Sequence, residues 1–592
     1  MSSTYEMNWN LDIFYPGGSK STEFEAELAG LEQATADLND MLNERLENEP
    51  ERIAAATALS QDILLGVRQA ASFAACLMAQ DVKDRRASLL NDRVNTIHAK
   101  FMTAMTSFDH ALRALDEAAW NNVLSFKGMS ELAFNLTEHR ELAKLKMAPE
   151  LEAIVSDLSI DGYHGWADLY NVIVSRASFH AKDADGKESV LSAGQMHNRL
   201  SDGNRDVRIQ AFEEWEREWA EQAELCADTL NRIAGFRLKL YEHRGWNSVL
   251  QEPLLMNRMS EATLNAMWTA VEAGKKLLIP YLERKAKLLG LEKLDWHDVE
   301  APIGASIRTV PFDEAASFII EQFRAFDPEL AEFSERAFRK GWIEAEDRSG
   351  KRPGGFCTSF PKSGETRIFM TYSGSASNIS TLAHELGHAY HQHVMNDLPA
   401  MAQEYAMNVA ETASTFAELI VSDRAMKEAK NKEEKIGLLE DKIQRSLAFF
   451  MNIHARFLFE TRFYELRRKG PVSVEALNRL MEDAQHEAFS GMLGRKHGLF
   501  WASKLHFYLT DVPFYNFPYT FGYLFSAGLY ARSAEEGFAA SYVALLRDTG
   551  RLTVEQLAAK HLHVNLEEPD FWNAAVALTD GDVKLFLELT EE

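Results

Sequence analysis

Cysteine is scarce: there are 3 in 592 residues. Cys76, Cys226 and Cys357 are far apart and belong to no CxxC or other ligand spacing, so they read as reduced thiols of a cytoplasmic protein rather than as a disulfide framework or thiolate metal site. Proline is also sparse, at 15 residues, and strand-like alternation is rare, which argues against an all-β fold. Basic residues are in deficit: 63 Lys and Arg face 89 Asp and Glu, for a formal net charge of −26. That balance disfavours nucleic acid and anionic membrane surfaces as partners. The opening "MSSTYEMNWNLDIFYPGGSK" has no basic stretch leading into an apolar one, and runs such as "ASFAACLMA" are short. Neither a signal peptide nor a membrane span is expected. No fixed-period repeat suggests a solenoid. There is no G-x-S-x-G, and Cys357 has no identifiable base partner, so a serine or cysteine nucleophile is weakly supported.

What the chain does have is apolar residues, 46% of the total, over a length that calls for two or more lobes. From about residue 21 to 345 they recur at steps of three and four, as at Leu28, Leu31, Leu38 and Leu42, which predicts stacked helices and a mainly α protein. One stretch, 349–378, breaks that texture. It gathers Gly, Ser and Thr around "GFCTSF" and "TRIFMTY", which predict a small hairpin or sheet.

Directly after it comes "STLAHELGHAYHQHV", 380–394. Ser377, Asn378 or Ser380 is expected to cap a helix whose core stripe is Ile379, Leu382, Ala383, Leu386 and Tyr390. His384 and His388, one turn apart, then share another face and can coordinate one Zn²⁺, while Glu385 between them can act on a water as general base. With 18 histidines, chance alone produces some HExxH in about one such chain in twenty, so the spacing is only suggestive. Gly387 strengthens it, because a glycine inside a helix costs about 1 kcal/mol and is best explained by the close approach of another helix or a ligand. His391 and His393 point elsewhere and read as structural.

A catalytic zinc needs a third protein ligand. The next helical pattern, "QEYAMNVAETASTFAEL" at 403–419, offers Glu404, Glu411 and Glu418 at seven-residue intervals on one predicted face. Glu411, beside small residues, is the central candidate and Glu418 could orient a histidine, but spacing alone leaves the three open.

At this point the residues resemble the oligoendopeptidase F branch of the thimet-oligopeptidase-like zinc peptidases. "TLAHELGHAYH" is similar to that family's HExGHxxH zinc helix, and "ETAS" to the segment carrying its third ligand; "WNLDIFYPG", "LDWHDVEAP", "KRPGGFCTSF" and the tyrosine-rich 506–523 extend the likeness over nearly the whole chain. The resemblance selects Glu411. It implies an N-terminal helical region over 1–200 and a catalytic region over 201–592, forming a multi-helical clamshell around a deep channel, with short peptides lying along the strand ahead of the zinc helix. It also implies substrate-binding histidine and tyrosine from "HFYLTDVPFYNFPYTFGYLF", 506–525: His506, Tyr515 and Tyr519 are the choices, with Tyr508 and Tyr523 as further candidates. The expected protein is a cytoplasmic endopeptidase with one zinc per chain. A zinc carboxypeptidase, which would need a cation for the substrate's terminal carboxylate, is the nearest alternative. A non-catalytic peptide-binding scaffold would have no use for Glu385.

Overall fold

A computed structural model describes residues 5–43, 49–182, 188–303 and 309–591. The chain forms two compact units, each built from three stretches: Met1–Lys146, Ile307–Arg424 and Arg532–Val564 in the first, and Met147–Ser306, Ala425–Ala531 and Asn565–Glu592 in the second. Both are predominantly helical, as the apolar periodicity predicts. Among the described residues, five short strands form an antiparallel hairpin, β1 (Phe179–Lys182) with β2 (Glu188–Leu191), and a three-stranded sheet of β3 (Ile343–Glu344), β4 (Phe356–Phe360) and β5 (Glu365–Phe369).

The first unit holds the histidine-rich segment. Its core is built on helices α1 (Thr22–Asn43), α2 (Pro50–Gln80) and α3 (Arg85–Ala114). Phe24, Leu28, Leu31 and Leu38 of α1 are buried along the stripe that the spacing predicts. Helix α2 is long and apolar enough to cross a membrane by length and composition, but 67% of its apolar window is buried inside the fold. Phe360 and Phe369 join this core from the sheet, which fixes strands β4 and β5 against the helices.

The two β-prone runs pair as expected, with β4 antiparallel to β5, and β3 adds a third strand parallel to β5. The order β3-β5-β4 leaves β4 at an edge. The sheet packs on helix α4 (Ala376–Met395). That helix starts earlier than the expected caps: Ser375 is the cap, and its hydroxyl accepts from the Asn378 N–H. Gly374 makes this possible, holding φ at +86° where an added Cβ would come within 2.9 Å of the Val310 carbonyl oxygen.

Helix α5 (Met407–Glu428) begins four residues later than the pattern from Gln403 predicts. Glu404 therefore lies outside the helix, and only Glu411 and Glu418 share its face. Helices α4 and α5 touch at Gly387, where an added Cβ would lie 2.5 Å from the Ala413 carbonyl oxygen and 2.6 Å from Ser414 Cα. The glycine thus allows one helix backbone to meet the other, which explains its place in a helix interior.

In the second unit, the helix Glu261–Leu288 packs along Pro569–Leu589, which also receives Phe517–Ala531 and Lys432–Leu447. The helix Arg205–Arg244 is capped by Asn204 and ended by Gly245 at φ +74°.

The backbone contact at Gly387 predicts that Gly387→Ala forces α4 and α5 apart, an overpacking cost of about 1–3 kcal/mol. A lowered Tm is the expected result, and an unchanged Tm would mean that the helices separate without cost.

Candidate active site

The contact between α4 and α5 sets three donor atoms face to face. His384 Nε2 and His388 Nε2 are 3.1 Å apart, and Glu411 Oε2 lies 3.3 Å from the first and 3.5 Å from the second. Donors bound at about 2.0–2.1 Å in a tetrahedral site are separated by about 3.3–3.4 Å, so this triangle has the dimensions of three of the four corners around zinc. The chemistry fits as well, since two imidazoles and a carboxylate leave the fourth corner for another group.

Neighbouring groups orient each donor. Glu418 Oε1 accepts from His384 Nδ1 at 2.5 Å, which places the imidazole proton on Nδ1 and leaves the Nε2 lone pair for a metal. The Ser380 hydroxyl donates to the other Glu418 oxygen at 3.2 Å. The Ala410 carbonyl accepts from His388, and the Ser414 hydroxyl donates to Glu411 Oε2 at 2.8 Å. Burial and the neighbouring His384 hold the His388 imidazole at about 4, against the pull of Glu411, so it is neutral as a ligand must be.

Glu385 is 6% exposed, and its Oε2 has no hydrogen-bond partner among the described residues. Burial pushes its carboxyl up to about 7, with Glu411 adding to the rise and His384 opposing it. A carboxyl tuned near neutrality can both take and return a proton. The first residue before β4 sits against it: a Cβ on Gly355 would be 3.5 Å from Glu385 Oε1 and 3.2 Å from the Phe369 carbonyl oxygen.

His384, Glu385, His388, Glu411 and Gly355 line a cavity of about 580 Å³ within the first unit, together with Phe356–Ser359 of β4, Tyr405 and Glu404. His391 supports its wall from behind. The ring is buried, stacks on Tyr405 at 4.2 Å, and its Nε2 donates to Leu546 and Thr549 oxygens. His393 stacks on Phe333 at 4.7 Å. Both have the structural surroundings expected of them.

His506, Tyr515 and Tyr519 belong to the second unit, where they form one cluster. His506 and Tyr515 have ring centroids 5.2 Å apart, Tyr515 and Tyr519 5.5 Å, and the Tyr519 hydroxyl donates to that of Tyr515 at 3.2 Å. All three are partly exposed. Burial, then Arg456 and Lys504, push His506 down to about 4. Tyr508 and Tyr523 differ: each is buried, Tyr508 stacked on Tyr170 at 3.7 Å and donating to the Trp501 carbonyl, Tyr523 bonded to the Ser446 hydroxyl.

The sequence holds no signal for three further lining residues, Arg68, Gln392 and Gln403, which meet in space although Arg68 and Gln392 are 324 positions apart. A second grouping of Asp295, His297 and Asp298 also has metal-like spacing. There, however, Arg205 and Arg208 already pair with Asp298 at 2.8 and 3.0 Å, so guanidinium groups supply the positive charge.

Comparison with known proteins assigns the chain to a family. A family model described as Peptidase family M3 matches residues 199–557, and one described as Oligopeptidase F matches 112–179. The chromosomal oligoendopeptidase F of Lactococcus lactis subsp. cremoris is 25% identical over 69% of this chain and 68% of its own length. An oligoendopeptidase F homolog of Lactococcus lactis subsp. lactis is 22% identical over 100% of this chain and 98% of its own. The crystal structure of oligoendopeptidase-F from Enterococcus faecium superposes with a TM-score of 0.72 at 17% identity, covering 96% of this chain and 98% of that one, a likeness of fold. Since the first family model spans more than half of the 592 residues, the chain belongs to peptidase family M3.

Proposed function

We propose that this protein is a zinc-dependent endopeptidase that hydrolyses internal bonds of short oligopeptides, with one zinc per chain held by His384, His388 and Glu411. The observation that carries the reading is the triangle of donor atoms beside Glu385, whose buried Oε2 lacks a partner, in a cavity walled by an edge strand. The relatives' names, oligoendopeptidase F, support the substrate class. Three free thiols support a reducing, cytoplasmic setting.

Zinc held by His384, His388 and Glu411 would supply Lewis-acid activation of a water and of the scissile carbonyl. Glu385 accepts the proton of the attacking water and delivers it to the departing amine, a double task suited to a carboxyl raised to about 7. Glu418 keeps the His384 proton on Nδ1 throughout. The extended substrate adds to the free edge of β4 and is held through its backbone, which gives tolerance of side chains. The Ser72 hydroxyl donates to the Ser359 carbonyl at 2.6 Å, so backbone pairing with the peptide is made at Gly355–Cys357, and the peptide residues beyond pass Ser359 without that bond. A substrate-binding role for His506, Tyr515 and Tyr519 is supported by the family to which their segment belongs.

Elemental analysis of purified protein is expected to find about one zinc per chain. Removal of a general base usually costs 10²-fold or more, so Glu385→Gln should retain zinc while kcat falls by at least that factor. Glu411→Ala should lose zinc and activity together. Turnover near normal in the Gln variant would remove Glu385 from the role of base.

Glu418 acts through His384, and loss of such an orienting carboxylate typically lowers metal affinity about 10–100-fold. Competition with a chelator of known affinity should show a drop of that size for Glu418→Gln. Unchanged affinity would mean that the 2.5 Å contact does not set the histidine tautomer.

A further inference from the structure

Arg68 stands on α2, far in sequence from every motif, yet it lines the same cavity as His384, Glu385, His388 and Glu411. Its guanidinium meets only neutral acceptors: Nη2 donates to Gln392 Oε1 at 3.0 Å and to Ser359 Oγ at 3.3 Å, and Nη1 to Gln403 Oε1 at 3.4 Å. The two amides are themselves held, Gln392 donating to Gln403 Oε1 at 2.9 Å and Gln403 to the Leu398 carbonyl at 2.8 Å, which keeps their oxygens toward the arginine. A guanidinium has five N–H donors, so one on Nε and one on Nη1 keep no protein acceptor among the described residues. Arg68 makes no ion pair there either; Glu404 and Tyr405 act on it only through space. By contrast, the buried Arg208 and Arg367 each meet a carboxylate at 3.0 Å, and the buried Arg237 is enclosed by two tyrosine hydroxyls and two backbone carbonyls rather than lining a cavity.

The position of Arg68 relative to the reacting centre follows from two adjacent elements. At one end of the wall Gly355 lies against Glu385, and at the other Ser359 and Gln392 share Arg68. The seven residues from Glu385 to Gln392 rise roughly 10 Å along the helix, and the four from Gly355 to Ser359 span roughly 13 Å of strand. An extended peptide covers that distance in roughly three to four residues.

We propose that Arg68 is a specificity residue that binds a substrate carboxylate three to four residues from the scissile bond. The carboxylate is either an Asp or Glu side chain or the free C-terminus of a peptide that ends there. A charge-assisted bond made in this partly desolvated wall is stronger than a neutral one, and the fork geometry of arginine suits a carboxylate. Burial holds the Arg68 guanidinium below its usual range, a cost that an incoming carboxylate relieves. The proposal rests on the peptidase reading and adds the substrate class to it.

The test uses one cleavable peptide sequence in four forms with the zinc-loaded enzyme. One is neutral, one carries Glu three to four residues before the bond, and one carries it equally far after. The fourth ends there in a free carboxylate, paired with its amide. Cleavage sites come from mass spectrometry and kcat/KM from initial rates, for wild type, Arg68→Gln and Arg68→Lys. At least one carboxylate form should exceed its neutral partner by about tenfold in the wild type, the gain expected of a charge-assisted bond. That ratio should fall toward one in Arg68→Gln and persist in part in Arg68→Lys, which keeps the charge without the fork. Which form is favoured distinguishes an acidic side chain from a C-terminus. Equal wild-type rates on every carboxylate and neutral pair would overturn the proposal, as would an Arg68→Gln variant that loses rate on all forms with the ratio intact, the mark of a purely structural tie. The wild-type ratios decide the matter even if Arg68→Gln fails to fold. Failure of the zinc-loaded wild type to cleave any of the four forms would overturn the peptidase reading itself.

Discussion

Helices α4 and α5 meet backbone to backbone at Gly387, and the geometry of the candidate site depends on that contact. With 2.5 Å between a hypothetical Cβ and the Ala413 carbonyl oxygen, no other residue allows the same approach. The contact brings Glu411, two positions before Ala413 on α5, to the level of His384 and His388 on α4. A side chain's width of extra separation would open the donor triangle beyond the reach of a single ion. Ser414, at the same crossing, also donates a hydrogen bond to Glu411.

Burial then sets the chemistry of what the crossing assembles. Glu385 and His388 lie on the same buried stretch of α4, and desolvation favours the neutral form of each, raising the acid and lowering the base. A neutral imidazole is what a metal requires, and a carboxyl near neutrality is what proton transfer requires. Burial also makes the charge of Arg68, which bonds only to neutral acceptors, costly unless a ligand meets it. Strand β4 completes the arrangement. It is an edge strand because β5 takes the centre of the sheet, so part of its backbone remains available beside Glu385.

Local patterns in the sequence carried most of this. The four-residue interval between His384 and His388 and the mid-helix Gly387 are helix geometry written directly into the chain, and the small sheet was visible in its β-prone runs. Tertiary facts were not visible. The seven-residue recurrence of Glu404, Glu411 and Glu418 favours Glu411 only by its small neighbours and leaves the choice open, because nothing local shows that α5 begins only at Met407 or that its level is set by the contact at Gly387. The Ser375 cap depended on the turn at Gly374. Arg68 is illegible for a different reason: it joins the cavity through packing of α2 against residues some 300 positions away, which no spacing rule encodes. Of the tyrosines, Tyr508 and Tyr523 were indistinguishable by composition from Tyr515 and Tyr519, and only burial separates them.

The central claim is that two imidazoles and one carboxylate, and no sulfur, hold the metal. Cys357 lines the same cavity, so a thiolate ligand is the arrangement that competes with it. Burial and the nearby Glu385 push the Cys357 thiol well up, which opposes ionisation. X-ray absorption at the zinc edge of the loaded wild-type protein distinguishes the two directly. The expected spectrum contains only nitrogen and oxygen neighbours at about 2.0–2.1 Å, with the outer-sphere scattering of two imidazole rings. A sulfur neighbour at about 2.3 Å, or the signature of fewer than two imidazoles, would contradict the account.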